Sequence, residues 1–508
     1  MGPIRDKLGV EQGGCSSDRI YKLANNKELI LTQNSLLGVQ LGDVHCASVG
    51  QADDVCLLSN SIHRLQCILQ LALDYASEYH VEMVPEKTKL LCYTPRGQQL
   101  DTYYWKLVSP ITMNGMDINF SEEAEHVGIL RSTGSAGNMP NVLARQAAHT
   151  RALYGVLPAG LARGHYGNPA ASLRVEKMYA TPVFQSGLAA LVLSKTEQAS
   201  LDHHFKLSLE RLQRLYKATP SPVVHFMAGT LPASATLHTK QFSLLSMIAR
   251  LGPSHILHRH GCNALMSAEK NTRSWFLQVR ELCQQYSLPD PLYLLQNPPP
   301  KSTFKREAHQ KVVSFWNVKL RQAAAALPSL SLFRDGLPPL SLFRAECMSL
   351  CKPHPIWTSA GSSPYEVRKA TVQARMLSGR YRTCWLRRHW SGDQSGACKI
   401  PGCSGEPGTL RHLATGECLG LATALVRAVG LWSSFLKDNP ILFPLVQEVS
   451  LGDPDEFLAF LVDPTTRPPV ITLTQTYGTI ITEQLCYMTR TWLFYMHKER
   501  LKLLKLWK

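Results

Sequence analysis

Two groups of side chains in this sequence have the types and spacing to hold metal. The first is Asp53 and Asp54. An apolar run enters the pair from Cys46 and another leaves it towards Ser59, so the pattern predicts two β-strands joined by a tight turn with both carboxylates at its tip. Adjacent carboxylates on a rigid hairpin are hard oxygen ligands at nearly fixed separation, which suits Mg²⁺ (or Mn²⁺). Alone, such a pair is more often a solvated turn.

The second group is Cys398, Cys403, His412 and Cys418, with four, eight and five residues between successive members. Three thiolates and one imidazole complete a tetrahedral Zn²⁺ site, and closed sites of this kind are structural rather than catalytic. Pro401 and Gly402 fall in the first knuckle, while Gly405, Pro407 and Gly408 shape the loop that follows. The competing reading is four reduced side chains, some merely buried, and Cys384 is the substitute ligand if one of the four is misassigned.

Upstream of the carboxylates lie Gly9, Gln12, Gly13, Ser17 and Tyr21. With Ala52, Asp53 and Asp54 they resemble the reverse transcriptases of non-LTR (LINE-type) retrotransposons, in which G-x-x-Q-G-x-x-x-S and an aromatic precede an aromatic-Ala-Asp-Asp hairpin. Gln51 stands where that family usually has Tyr or Phe. Further similar segments follow in order: Pro85 to Lys89, like the family's Lys-Thr-Lys, and His126, Val127 and Gly128, where the family has Tyr-Leu-Gly between palm and thumb. The resemblance implies that Asp53 and Asp54 hold the catalytic metal, that Gln12 and Gly13, with Ser17, line the template and nucleotide cleft, and that Lys87 contacts the triphosphate. It also extends to the C-terminal region, where Arg375 to Tyr381 and Glu406 to His412 are similar to the family's basic Leu-x-Gly-x-Tyr helix end and C…C…H…C motif. In the family a first carboxylate comes from a strand upstream of Gly-x-x-Gln-Gly. Eight residues precede Gly9, so the expectation is an incomplete catalytic set that by itself polymerises nothing measurable.

The elements that must position these groups can be read from periodicity and breakers. Leu65, Ile68, Leu69, Ala72 and Ala76 recur at helical spacing and predict a helix over 61–79. From about 131 to 288 the chain reads as helices, with Leu173, Tyr179, Phe184 and Leu188, then Leu201, Phe205, Leu209, Leu212 and Leu215, on apolar faces. Gln296 to Lys301 reads as a linker. Leu327 to Arg334 recurs as Leu337 to Arg344, read as two short extended segments. Glu483 to Lys508 should be helical, with Leu485, Met488, Trp492 and Met496 near one face.

The bulk composition sets the partners. Lys and Arg number 54 against 38 Asp and Glu, a net charge of +16, which favours polyanions, here RNA and DNA. Between Arg368 and Arg388 there are seven cations, at 368, 369, 375, 380, 382, 387 and 388, and no acid. Tyr381, Trp385 and Trp390 lie among or beside them, a combination that neutralises phosphates and stacks bases. Arg375, Arg380, Tyr381, Arg387 and Arg388 are the candidate nucleic-acid contacts. Lys206, Arg211, Arg214 and Lys217 form a second basic face, read equally well as solvated. Fourteen cysteines with no secretory leader pattern suggest reduced thiols and an intracellular protein, in nucleus and cytoplasm. The most apolar stretch, Leu419 to Phe435, is broken by Arg427 and Gly430, so no membrane partner is expected.

The expected fold class is α+β: a partial polymerase palm, a β-hairpin sheet with helices (1–130), then a mostly helical thumb with its extension (131–290). A Pro-rich linker (291–304), a basic region with the zinc site (305–420) and C-terminal helices (421–508) complete the chain. The expected function is a reverse transcriptase fragment, RNA-directed DNA polymerase by resemblance. The alternative is a non-enzymatic nucleic-acid-binding zinc protein derived from such an element.

Overall fold

The structure, a computed structural model, describes residues 17–51, 54–93, 110–133, 137–156, 167–267, 274–335, 350, 352–383 and 395–505. It is α+β: helices with four two-stranded antiparallel sheets among the described residues. The helices used below are α1 (Ser17–Asn34), α2 (Ile62–Glu78), α3 (Met139–Val156), α4 (Lys195–Leu212), α5 (Ala233–Ala249), α6 (Ile256–Met266) and α7 (Trp275–Gln285). They continue with α8 (Lys301–Ala325), α9 (Pro364–Leu377), α10 (Leu410–Ala414), α11 (Ala422–Asp438), α12 (Pro454–Val462) and α13 (Thr479–Leu503). The chain forms two compact units, neither a single stretch: Met1–Ala144 with Ser186–Glu197 and Leu237–His309, and Arg145–Gln185 with Gln198–Thr236 and Gln310–Lys508.

In the first unit β1 (Val39–Leu41) pairs with β2 (Val44–Cys46), and β3 (Ser48–Gln51) with β4 (Asp54–Leu57), in register Gln51 to Asp54. A lone hairpin is marginal in water and needs a face to pack on. Here α1 covers β3, with the Thr32 and Ser48 hydroxyls 2.6 Å apart, and α2 sits beside β4. The helix α2 runs where the spacing predicts, between Ser61 and Tyr79, and buries Ile68, Leu69, Ala72, Tyr75 and Ala76. Its Leu69 joins Ile111, Met113 and Ile118 in a core against which Leu57, Leu65, Met83 and Leu90 pack. That core ties β4 to the 3₁₀ turn Pro85–Lys87. Each fully buried Ile or Leu contributes roughly 1.5–3 kcal/mol.

Two more hairpins close on two-residue turns, β5 (Thr112–Met113) with β6 (Met116–Asp117) and β7 (Glu123–His126) with β8 (Ile129–Ser132). The first turn is Asn114-Gly115 and the second Val127-Gly128, all four at positive φ. Asn and Gly suit that conformation; a β-branched Val strains in it. A second core in this unit gathers Ile248 and Ala249 of α5, Leu265 of α6, Phe276 of α7 and Leu295.

The second unit is built round α13, whose Leu485, Met488, Trp492 and Met496 are all buried, as are Cys486, Leu493 and Phe494 on its other sides. Helices α9, α11 and α12 pack against it. Polar ties cross this core: Trp432 Nε1 donates to Met488 O at 3.1 Å, and Gln373 Nε2 to Leu461 O at 3.1 Å.

Three sequence expectations need correction. Of the 291–304 linker, Pro291–Gln296 and 301–304 are helical, and the break is Asn297 to Pro300. Prolines stop one helix yet are tolerated at the start of the next. The first copy of the Leu-Pro repeat is a 3₁₀ turn, Pro328–Leu330, followed by the helix Ser331–Asp335, not an extended segment; the second copy lies outside the described residues. Tyr179 is 54% exposed although Leu173, Phe184 and Leu188 of the same expected face are buried. A π turn at Glu176–Ala180 accommodates an extra residue and shifts the phase. It turns Glu176 inward, 3.2 Å from His149 Nε2 of α3.

Candidate metal centre

The segment 396–421 folds back on itself through backbone bonds before any metal is considered. Cys398 N–H donates to Glu406 O at 2.7 Å and Gly408 N–H to Gly396 O at 2.9 Å, and Ala397 bridges Pro407. Within that ribbon Cys403 N–H reaches Ile400 O at 3.1 Å. The tight turn places Gly402 at φ +83°, a conformation glycine adopts without a Cβ penalty. The short helix α10 then starts with the Thr409 hydroxyl accepting from His412 N–H at 3.2 Å. Cys418 N–H closes onto His412 O at 3.1 Å. Trp492 of α13 fastens the whole to the unit's core by donating to Ala414 O at 2.8 Å.

These turns bring together all four residues singled out in the sequence. Their ligating atoms lie within 4.8 Å of one another. Cys398 Sγ is 3.8 Å from Cys418 Sγ, and Cys403 Sγ is 3.3 Å from His412 Nε2. Ligands on a tetrahedral zinc stand about 3.8 Å apart for two sulfurs and about 3.5 Å for sulfur and nitrogen, given their bond lengths. The cysteines are free thiols, and 3.8 Å is far beyond a disulfide bond. Cys398, His412 and Cys418 are buried and Cys403 half-buried. Cys384 lies outside the described residues.

Without a cation, burial keeps two of the three thiols protonated. Burial, then the neighbouring Cys398, pushes the Cys418 thiol up to about 12, and burial also raises Cys398. At Cys403 burial raises the pKa, but the Gly405 backbone N–H and the neighbouring thiols outweigh it and the net shift is down. Three thiols in one pocket cannot ionise together without a cation, and a divalent metal removes that obstacle. Glu406 is the residue that ligand spacing alone did not assign. Its Oε2 stands 3.2 Å from His412 Nδ1, although the contact is not aligned as a hydrogen bond. A carboxylate on the far nitrogen of a ligating histidine holds the ring and raises its basicity.

The other candidates are placed differently. Asp54 opens β4, exposed, opposite Gln51, whereas Gln12, Gly13, Ala52 and Asp53 lie outside the described residues. Ser17 begins α1, and Lys87 is exposed on its 3₁₀ turn. Among the described residues the Cys398 cluster is the one group of three or more potential ligands. Arg375 donates to Arg214 O at 2.9 Å and lies over the Tyr216 ring. Arg380 is half-buried; Arg387 and Arg388 fall outside the described residues. Tyr381, expected to stack on bases, is 5% exposed, its hydroxyl 2.6 Å from His497 Nδ1 and its ring under Arg500. Both faces of its chemistry are taken up within the chain. Lys369 is likewise internal, 2.7 Å from Glu366 and bonded to Thr491.

The stretch Leu410–Asp438 is apolar and long enough by composition to cross a membrane. It is two helices, α10 and α11, separated by the turn that carries Cys418. Ala424, Ala428 and Trp432 of α11 are buried against the unit's core.

No protein-family model matches the chain, and no curated protein matches it in sequence.

Proposed function

We propose that this chain is a nucleic-acid-binding protein whose C-terminal region is organised by a structural zinc ion, and that its N-terminal part is a partial reverse-transcriptase palm of the non-LTR type. The observation that carries the reading is the convergence of Cys398, Cys403, His412 and Cys418 within 4.8 Å. A site of that ligand set holds a short, loop-rich segment that has little core of its own. Basic side chains before the site and a net charge of +16 supply the attraction to RNA and DNA. Binding of single-stranded RNA and DNA by the purified chain tests this, beside Cys403→Ser and Asp54→Asn. Binding that weakens with Cys403→Ser and survives Asp54→Asn supports the reading; no binding in any form refutes it.

A second reading is RNA-directed DNA polymerase using Mg²⁺ (or Mn²⁺). What favours it is the hairpin of β3 and β4, in which Gln51 pairs with Asp54 and Asp54 opens the return strand. Two-metal chemistry needs carboxylates that share the ions. Among the described residues Asp54 belongs to no group of three or more potential ligands, and a primed RNA-template assay tests the reading. Template-dependent extension abolished by Asp54→Asn would make polymerisation the leading function.

A further inference from the structure

Two basic stretches far apart in the sequence meet at one tyrosine. Tyr216 follows the end of α4, and the guanidinium of Arg375 from α9 lies 4.5 Å from its ring centre. The guanidinium of Arg382, just beyond α9, lies 5.3 Å from the same ring. Arg375 Nε donates to Arg214 O at 2.9 Å, and Arg214 reaches Gly167 O at 2.8 Å. That carbonyl is available because Arg214 takes a left-handed conformation, φ +55°, as α4 ends. Arg368 lies two turns before Arg375 on α9, and both Arg375 and Arg368 depress the pKa of Arg214 after burial has done so. Lys217 is the next residue after Tyr216 and is exposed.

Among the described residues the counter-charge is missing. The acids nearest in sequence are engaged elsewhere: Glu210 with Lys206 at 2.9 Å, and Glu366 with Lys369 at 2.7 Å and Arg490 at 3.0 Å. Among the described residues no carboxylate pairs with Arg214, Arg368, Arg375 or Arg382. Four like charges are costly to hold together unless an anion enters among them. Tyr216 holds two of the guanidinium groups over its ring, and a guanidinium held in place matches the oxygens of a phosphate.

We infer that Arg375 and Arg382 over Tyr216, with Arg214 beside them and Arg368 two turns back on α9, form a clamp for successive phosphates of a single-stranded nucleic acid. This rests on the nucleic-acid reading above and names its contact surface. The clamp joins α4 to α9, so neither basic stretch is by itself the binding segment. A continuous strand, rather than a lone phosphate, fits because the cations come from two parts of the chain, Arg214 past the end of α4 and Arg368, Arg375 and Arg382 on and beyond α9, and the basic sequence includes Arg380.

The test is fluorescence anisotropy of the full chain with a labelled single-stranded oligouridylate at rising salt. Exposed Arg368 and Arg382 are changed together to Gln, then together to Lys, with Lys305→Gln plus Lys311→Gln as a control elsewhere. Each lost phosphate contact on a single strand should reduce the slope of log K against log salt by about 0.7, so the Gln pair should lose about 1.4. The Lys pair should regain it, and the control should match the wild type. Unchanged slope in the Gln pair, with the wild type binding, would overturn the clamp and leave the nucleic-acid reading standing. No binding by the wild type would overturn both. Binding to phosphoinositide vesicles but not to the oligonucleotide would overturn the choice of partner. Circular dichroism melts keep a folding defect apart from a lost contact, since the Lys pair retains the stems that pack.

Discussion

The two regions that carry metal-binding side chains in the sequence differ in how far the fold commits them. In the segment 396–421 a ribbon, a capped helical turn and a backbone closure from Cys418 to His412 each place one or two potential ligands, and the four meet. In the hairpin region Asp54 stands exposed at the start of β4 and Lys87 exposed on a separate turn. They are linked through the apolar core under α2 rather than through contacts of their own. A structural metal is part of its segment's stability, whereas an exposed carboxylate on a hairpin contributes almost nothing until a ligand arrives.

That difference is measurable as stability. Cys418→Ser, or zinc removal by chelator, should lower the unfolding free energy by at least about 4 kcal/mol. Asp54→Asn should stay within about 0.5 kcal/mol. Comparable losses in urea melts of the two variants would break the comparison. Next comes Gly379→Ala. Gly379 ends α9 at φ +65°, and a Cβ there would lie 2.0 Å from Ser329 O. A loss of about 2–4 kcal/mol is expected in the same melts, from strain plus overlap. A near-neutral change would mean that the Leu-x-Gly-x-Tyr helix end is not pinned as described.

Acid should also weigh on the unit that holds the Cys398 cluster. His225 is buried and its pKa held at about 4 by that burial; His497 is at about 4 through burial, then Arg500. The unfolded chain takes up these protons near pH 6.5, the folded chain only near pH 4. Stability is therefore full above pH 6.5 and falls as pH drops towards 4, by about 1.4 kcal/mol per pH unit for each histidine. His204, also at about 4 through burial and then His149, adds a third such group, so urea midpoints at pH 7.5 and pH 5 read the sum and His497→Gln should remove roughly a third of the difference. The smallest effect is on the other unit: Val127→Asn should add about 0.5–1 kcal/mol by relieving a β-branched residue at φ +52°. A loss instead would mean that Val127 packs more than its 52% exposure suggests.

The sequence carried the local patterns well and the packing badly. Helix α2 was readable from five apolar positions, the Asp54 hairpin from two apolar runs, and the Cys398, Cys403, His412 and Cys418 cluster from residue type and spacing. Tyr381 was misjudged because an aromatic among arginines looks the same whether it faces solvent or lies under Arg500. Tyr179 was misjudged because periodicity assumes a constant helical phase, which the π turn at Glu176 breaks. Glu406 carried a weak signal, an acid inside the loop between two ligands, yet only the fold shows it facing His412. The meeting of Arg214 with Arg375 at Tyr216 had no sequence signal, since the two lie 161 residues apart.

The most direct measurement is the zinc content of the purified chain after dialysis, by atomic emission, beside Cys418→Ser and Asp54→Asn. One zinc per chain in the wild type and in Asp54→Asn, with little left in Cys418→Ser, is the expected result. Wild-type protein that keeps no zinc, or Cys418→Ser protein that keeps it in full, would contradict a structural zinc at this site.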